Sequence, residues 1–257
     1  LNDPGGSYRK TILGVWAHPD DEVFVAGGLL AAAARLGARV VCAYATRGER
    51  GVQEGHRFPA ALLPRIRGSE LARGLAALGV DAQYQMSFPD AGLERVPPKE
   101  GTRWVSELLD LVRPEIVVTF GPDGVTGHPD HRALSGWVGD AFAERATGAT
   151  LLHAAVADEW HDRFVPALQE FNAFLPGYPI AYDSAAVDVR VDLDDRLIDM
   201  KLAALRAHKS QTARLFRAFG DDFMRELSAR ESFRVAAGNS ASELLAAPPP
   251  DLVAPPL

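Results

Sequence analysis

The chain has 257 residues, with 27 lysines and arginines against 34 acidic side chains and a net charge of −7. That balance disfavours nucleic acid as a partner, because binding a phosphate chain needs a basic face. Hydrophobic residues make up 47% of the chain, enough for a substantial core, yet no apolar run approaches the ~20 residues of a membrane span.

Strands and helices are expected to alternate. The apolar run 11–17 predicts a buried strand, followed by an Ala/Leu-rich helix over 21–36 that stops at Gly37. Strand 39–45 leads into a loop, 46–61, and then helix 62–78, ending at Gly79. Strand 82–88, a Pro/Gly-rich loop to residue 98 and helix 101–112 come next. Residues 115–120 are β-branched and flanked by turn residues, so they form the clearest strand. The loop 121–128, helix 130–146 and strand 150–157 complete the series. Such alternation implies an α/β fold, a mainly parallel sheet with helices on both faces. Beyond it we expect a helix over 164–174, a half-exposed edge strand over 187–192 and helical pattern over 193–219. The tail 246–257 holds five prolines and reads as extended or mobile. No repeat or linker divides the chain, so residues 1–257 read as one domain.

The residues 1–6 lack the features of a signal peptide, and Leu1 in place of Met points to residues upstream. The single cysteine, Cys42, lies inside a strand and reads as a small hydrophobe. No intrachain disulfide can form, which fits a reducing, cytoplasmic compartment.

Two turns carry the chemistry. His18-Pro19-Asp20-Asp21-Glu22 follows the first strand, and Gly127-His128-Pro129-Asp130-His131 follows the strand 115–120. Alone, either cluster reads more simply as a helix cap or a turn. Together, each after an apolar strand and before a helix, they point to one metal site at the carboxyl ends of neighbouring strands. A catalytic zinc takes three N or O ligands and keeps a position open for water, and His18, Asp21 and His131 can supply them. Asp20, off the metal, is placed to take a proton. His128 can protonate a leaving amine or steady an oxyanion, with Asp130 holding it charged. This is an apparatus for hydrolysing an amide.

These paired motifs resemble the signature of the PIG-L/LmbE zinc-dependent de-N-acetylases. Thr46-Arg47-Gly48, Arg67 with Glu70, Pro89-Asp90 with Gly92-Leu93, and the stretch from Lys201 through His208 to Gln211 match further family features. The resemblance covers roughly residues 11 to 215. It implies a Rossmann-like fold, although no Gly-x-Gly-x-x-Gly loop follows the first strand. It also implies Zn2+, or Fe2+ in its place, on His18, Asp21 and His131, with Asp20 as general base and His128 and Asp130 as its partners. The substrate would be a small N-acylated amino sugar or natural-product intermediate that loses an acetyl or similar acyl group. Arg67, Asp90 and His208 would contact it, against structural readings as a helix charge, a turn aspartate and a helix-packing histidine. Glu22 reads as support behind the site or as an early helix acid. Thr126 stands where mycothiol-type members carry a tyrosine that assists the reaction. A thiol-conjugate-type amidase, a non-catalytic metal-binding protein and a homo-oligomer all stay open. His56 and His161 read as surface residues, and His153 as structural.

Overall fold

The computed structural model describes residues 10–52, 59–145 and 148–238. Its centre is a sheet built from β1 (Thr11–Trp16), β2 (Arg39–Tyr44), β3 (Ala82–Gln85), β4 (Ile116–Phe120) and β5 (Thr150–Ala157). They lie side by side in the order β3-β2-β1-β4-β5, all parallel. β1, β2 and β4 are buried along almost their whole length, which is why their sequences read as unbroken apolar runs rather than alternating ones. β3, at one edge, alternates between half-buried and exposed positions.

Right-handed crossovers decide where the helices go. The chain moves outward from β1 to β3 through α1 (Asp21–Val25), α2 (Gly27–Arg35) and α3 (Leu63–Leu78). It returns past β1 through α4 (Pro98–Val112) and continues to β5 through α5 (Pro129–Arg145), so α4 and α5 cover the opposite face. The reversal lies between β1 and β4, adjacent strands in register from Ile12 opposite Ile116. Such a switch point leaves a crevice beyond the strand ends. Both histidine-bearing turns open into it.

The second half departs more from expectation. α6 spans Asp158–Gln169, not 164–174, and starts on two acidic residues that suit its N-terminal dipole. It accommodates Pro166 in its interior, and Asn172 turns the chain at φ 55° beyond its end. A short strand, β6 (Ala181–Tyr182), pairs with the end of β5. The edge strand, β7, is Val189–Asp192. The helical stretch divides into α7 (Asp195–Ala207) and α8 (Lys209–Ser228), and α8 runs across a non-helical Gly220. β8 (Arg230–Ala237) was not expected. It pairs antiparallel with both β5 and β7 and so ties the C-terminal part into the sheet. The tail 246–257 and His56 lie outside the described residues. Among the described residues, no helix is long and apolar enough to cross a membrane.

The expected helix 21–36 is also two helices, broken at Ala26. α2 then has no capping side chain of its own. The N–H groups of Gly28 and Leu29 instead donate to the Glu231 carboxylate at 2.7 and 2.8 Å, from β8 at the far end of the chain. Lys201 closes the arrangement with a buried 2.7 Å ion pair to Glu231. α8 is started in the same way: Glu70 of α3 accepts from the N–H and hydroxyl of Ser210 at 2.8 and 2.6 Å. Cys42 is buried and unpaired, and burial pushes its thiol pKa up, as befits an inert core residue.

Candidate metal centre

β1 ends at Trp16, and the next residues turn into the crevice. The His18 N–H donates to Asp21 Oδ2 at 2.7 Å, which fixes the turn. His131 sits in the first turn of α5, its ring stacked on Phe120 at 4.0 Å. The three expected ligands converge. His18 Nδ1 lies 3.3 Å from His131 Nε2 and 3.5 Å from Asp21 Oδ2, and His131 Nε2 lies 3.3 Å from Asp21 Oδ1. Ligands about 2.0–2.1 Å from a tetrahedral zinc stand roughly 3.3–3.4 Å apart, so the two ring nitrogens already have such a spacing, with a different oxygen of the Asp21 carboxylate beside each. A second grouping, His18 with His128 and Asp130, also brings ligand atoms close together. It is the less enclosed of the two, His128 being half-buried where all three residues of the first group are buried.

The electrostatics suit a cation. Burial opposes ionisation of Asp21, yet His131 and His18 hold its pKa well below the usual carboxylate range. Burial would also push His18 down, but Asp21, Asp130 and Asp90 hold it well above its ordinary value. Behind the ligands, His18 Nε2 faces Asp130 Oδ2 at 3.2 Å and Asp90 Oδ1 at 3.1 Å. Gly124 O and Thr126 Oγ1 face His131 Nδ1 at 3.0 and 3.2 Å. Such partners orient the rings and raise their basicity toward a metal.

Asp20 is adjacent and differently held. Its backbone lies in the left-handed region at φ 112°, unusual for a residue other than glycine. Its N–H donates to Glu22 Oε2 at 3.0 Å, and Glu22 Oε1 in turn faces His208 Nε2 at 3.1 Å. Glu22 and His208 are fully buried. Arg67 donates to Asp20 Oδ1 at 2.9 Å, to Gly48 O at 3.0 Å and to Pro19 O. Burial raises the Asp20 pKa to about 6, with the Arg67 guanidinium opposing the rise.

Several residues stand elsewhere than expected. The Asp130 carboxylate turns to His18 and the Leu93 N–H, not to the His128 ring. Only the Asp130 N–H reaches His128 Nδ1, at 3.1 Å. An Nδ1 that accepts leaves the proton of a neutral imidazole on Nε2. Burial, with His131 and His18 nearby, pushes the His128 pKa down, so the structure favours this neutral donor over a charged one. Asp90 uses both oxygens, one toward His18 and one on the Arg50 N–H at 2.6 Å, and His18 holds its pKa at about 2 against the effect of burial. Arg67 turns both terminal nitrogens to the protein while its buried Nε has no hydrogen-bond partner, and His208 lies behind Glu22. All three expected substrate contacts thus bond to other protein groups, and Arg67 and Asp90 border the crevice. Thr126 bonds to His131 and accepts from the His128 N–H at 3.3 Å.

His153 sits half-buried in β5, its pKa pressed down to about 4 by burial and Arg234. His161 pairs with its neighbour Asp162 at the surface. Glu231 was missed. The pattern around Arg230-Glu231-Ser232-Phe233 carries no cap signature, because the helix it starts lies some 200 residues earlier.

Gly48 is required where it stands. Its φ is +65°, and a Cβ there would fall 2.2 Å from the Arg67 guanidinium. Gly48→Ala is therefore expected to displace Arg67 from Asp20 and lower turnover by about tenfold with metal content unchanged. Steady-state kinetics beside metal analysis checks this.

Residues 13–142 match the PIG-L family, described as GlcNAc-PI de-N-acetylase. The chain belongs to the PIG-L family. A relative of this PIG-L protein in Mycobacterium sp. (strain KMS), named 1D-myo-inositol 2-acetamido-2-deoxy-alpha-D-glucopyranoside deacetylase, is 34% identical over 229 residues. The match covers 78% of this chain and 73% of that one. The solved N,N'-diacetylchitobiose deacetylase of Pyrococcus horikoshii superposes with a TM-score of 0.65 at 22% identity, over 95% of this chain and 89% of that one. A deacetylase of teicoplanin biosynthesis superposes at 0.63 with 16% identity, over 88% and 99%. At these identities the two structures establish the shared fold alone.

Proposed function

We propose that this chain is a hydrolase that removes the acetyl group from an N-acetylated amino sugar, with one zinc ion held by His18, Asp21 and His131. One observation carries the reading. Two imidazole nitrogens stand 3.3 Å apart with one oxygen of the Asp21 carboxylate beside each, and next to them a second carboxylate, Asp20, is pinned by an arginine. A purely structural metal site needs no such neighbour. The mycobacterial relative's name supports the amino-sugar class.

When bound, the metal supplies a Lewis acid for the amide carbonyl and makes water acidic enough to attack near neutral pH. The remaining steps belong to side chains. Asp20 takes the proton of the attacking water, its pKa raised by burial toward the range where a base is effective. Arg67 fixes the carboxylate for that transfer. His128 donates its Nε2–H to the oxygen that becomes negative as the carbonyl carbon turns tetrahedral. Asp20 then returns its proton to the leaving nitrogen as the C–N bond breaks, giving amine and acetate. Asp130 and Asp90 orient His18 throughout.

The test is bound metal per chain together with amine release from N-acetylglucosaminides, for wild type and His131→Ala. About one zinc per wild-type chain is expected, with loss of most metal and of turnover in the variant. Wild type that takes up neither zinc nor ferrous iron after reconstitution would overturn the reading.

A further inference from the structure

A second pocket lies behind the loop that carries His128. It has a volume of about 580 Å³ and is bounded by the loop after β4, the start of α5, the segment 178–182, β5 and β8. Its polar walls are Asp123, Arg132, His153, Tyr178, Tyr182 and Arg234. It shares only Ala154 with the metal crevice.

The sheet supplies two of these walls together. His153 and Arg234 stand directly opposite each other in the antiparallel pair β5–β8, so both side chains rise from one face. Arg234 lies over the Tyr182 ring at 5.2 Å, which holds the guanidinium without neutralising it. Among the described residues, neither Arg234 nor Arg132 forms an ion pair with a carboxylate. Two further groups are left over. Asp123 Oδ1 and His153 Nε2 are buried without a hydrogen-bond partner. Buried polar atoms are nearly always paired, so such orphans mark where a partner is to be supplied.

These groups specify an occupant. Two arginines without counter-ions, at one pocket of a chain with net charge −7, favour an anion, and guanidinium forks match phosphate and carboxylate oxygens. Asp123 repels a bare anion but accepts from a hydroxyl. The pocket is of a size that commonly holds a small molecule, well beyond one oxyanion.

We propose that this pocket is a second binding site, for a small hydroxylated oxyanion, either a sugar phosphate or a sugar acid. Its anionic group lies on Arg132 and Arg234, and its hydroxyls lie toward Asp123 and His153. The site does not rest on the deacetylase reading, since none of the residues proposed for the metal or for amide cleavage borders it.

The loop 121–128 separates the two pockets. Gly121, Pro122 and Asp123 border the second one, and Val125, Thr126 and His128 border the metal crevice. Tyr178 lies so close to Gly127 that a Cβ there would fall 2.3 Å from its ring, and the Leu175 N–H donates to Thr126 O at 2.9 Å. An occupant that joins Asp123, Arg132 and Tyr178 therefore steadies the loop from behind.

The experiment titrates glucose 6-phosphate, gluconate, inorganic phosphate and glucose into the zinc-loaded full chain at low salt, read by calorimetry. Glucose 6-phosphate or gluconate is expected to bind at least about tenfold more tightly than glucose, and the tighter of the two identifies the oxyanion. Arg132→Gln and Arg234→Gln should each weaken that binding by roughly ten- to a hundredfold, the size of a charge-assisted hydrogen bond. Both side chains are exposed, so the fold should survive. Ala236→Glu, which adds a negative charge at the rim and removes no contact of the arginines, should weaken it as well. Arg50→Gln, at the metal crevice, should not. Hydrogen exchange locates the ligand: at saturation the amides of 121–127, 178–182 and 233–236 should exchange more slowly.

Binding of both hydroxylated anions no tighter than that of glucose overturns the proposal. So does binding that Arg50→Gln abolishes and Arg234→Gln leaves intact, or protection confined to 46–52, because the anion then sits in the metal crevice. Inorganic phosphate binding as tightly as glucose 6-phosphate overturns the assignment of the hydroxyls to Asp123 and His153.

Discussion

Asp20→Asn should bind metal like wild type and turn over substrate about a thousandfold more slowly. The size follows from the proton transfer removed, since a positioned general base contributes roughly 10²–10⁴ in rate. The specificity follows from the geometry. Asp20 is outside the proposed ligand set, so metal per chain should not change. Its Oδ1 accepts from Arg67 at 2.9 Å, and the amide oxygen of asparagine can accept that bond as well. Its backbone sits at φ 112°, and asparagine tolerates positive φ at least as well as aspartate. The fold should therefore survive intact.

A thermodynamic signature goes with the kinetic one. In the metal-free protein burial raises Asp20 to about 6 against the pull of Arg67. A folded-state pKa above the unfolded value near 4 means that the folded chain holds the extra proton between the two. Stability therefore falls as pH rises from about 4 to about 6. Asparagine lacks this penalty. Above pH 7 the metal-free variant should be the more stable protein by ~2 kcal/mol, the gap closing toward pH 4. Unchanged turnover in Asp20→Asn would remove Asp20 as the base, and a pH-independent gap would mean that its burial is not what raises it.

Glu231→Ala should destabilise the fold by about 3–5 kcal/mol, the range for removing one partner of a buried ion pair. Lys201 is only 3% exposed and would keep its charge without a counter-ion. The N–H groups of Gly28 and Leu29 would lose their acceptor at the start of α2 as well. Urea unfolding at pH 7 measures this. The double variant Lys201→Met with Glu231→Gln should recover much of the loss, because no unpaired charge remains and a side-chain oxygen still faces α2. A loss under about 1 kcal/mol in Glu231→Ala would mean that the pair is solvated and that α2 is capped by other means.

These two residues show where reading the chain succeeds and where it stops. Asp20 was legible as a candidate because the pattern that marks it is local. It lies between a buried strand and a helix, in a cluster whose spacing points to a metal. His18, Asp21, His128 and His131 were legible for the same reason, and β1 and β4 declared themselves through continuous apolar runs buried on both faces. Glu231 carries no such mark. Its partners are Lys201, 30 residues before it, and a helix start 200 residues before it. Capping rules look for a side chain next to the helix it starts, and here both α2 and α8 are started by carboxylates from distant elements. β8 escaped notice for a related reason, since a strand is identified by neighbours that only the folded sheet supplies.

The roles of Arg67, Asp90, His208 and Asp130 divide along the same line. The sequence by itself determined the fold class, the two chemical turns and which side chains could face a metal, because hydrophobic periodicity and short-range spacing encode all three. Only the tertiary structure decided that Asp130 supports His18 rather than His128, that Arg67 grips Asp20, that His208 stands behind Glu22, and that His153 and Arg234 border one pocket behind the loop 121–128. Those contacts join residues 40 to 190 positions apart. Their geometry is set by how the strands and helices pack, which no local pattern in the chain records.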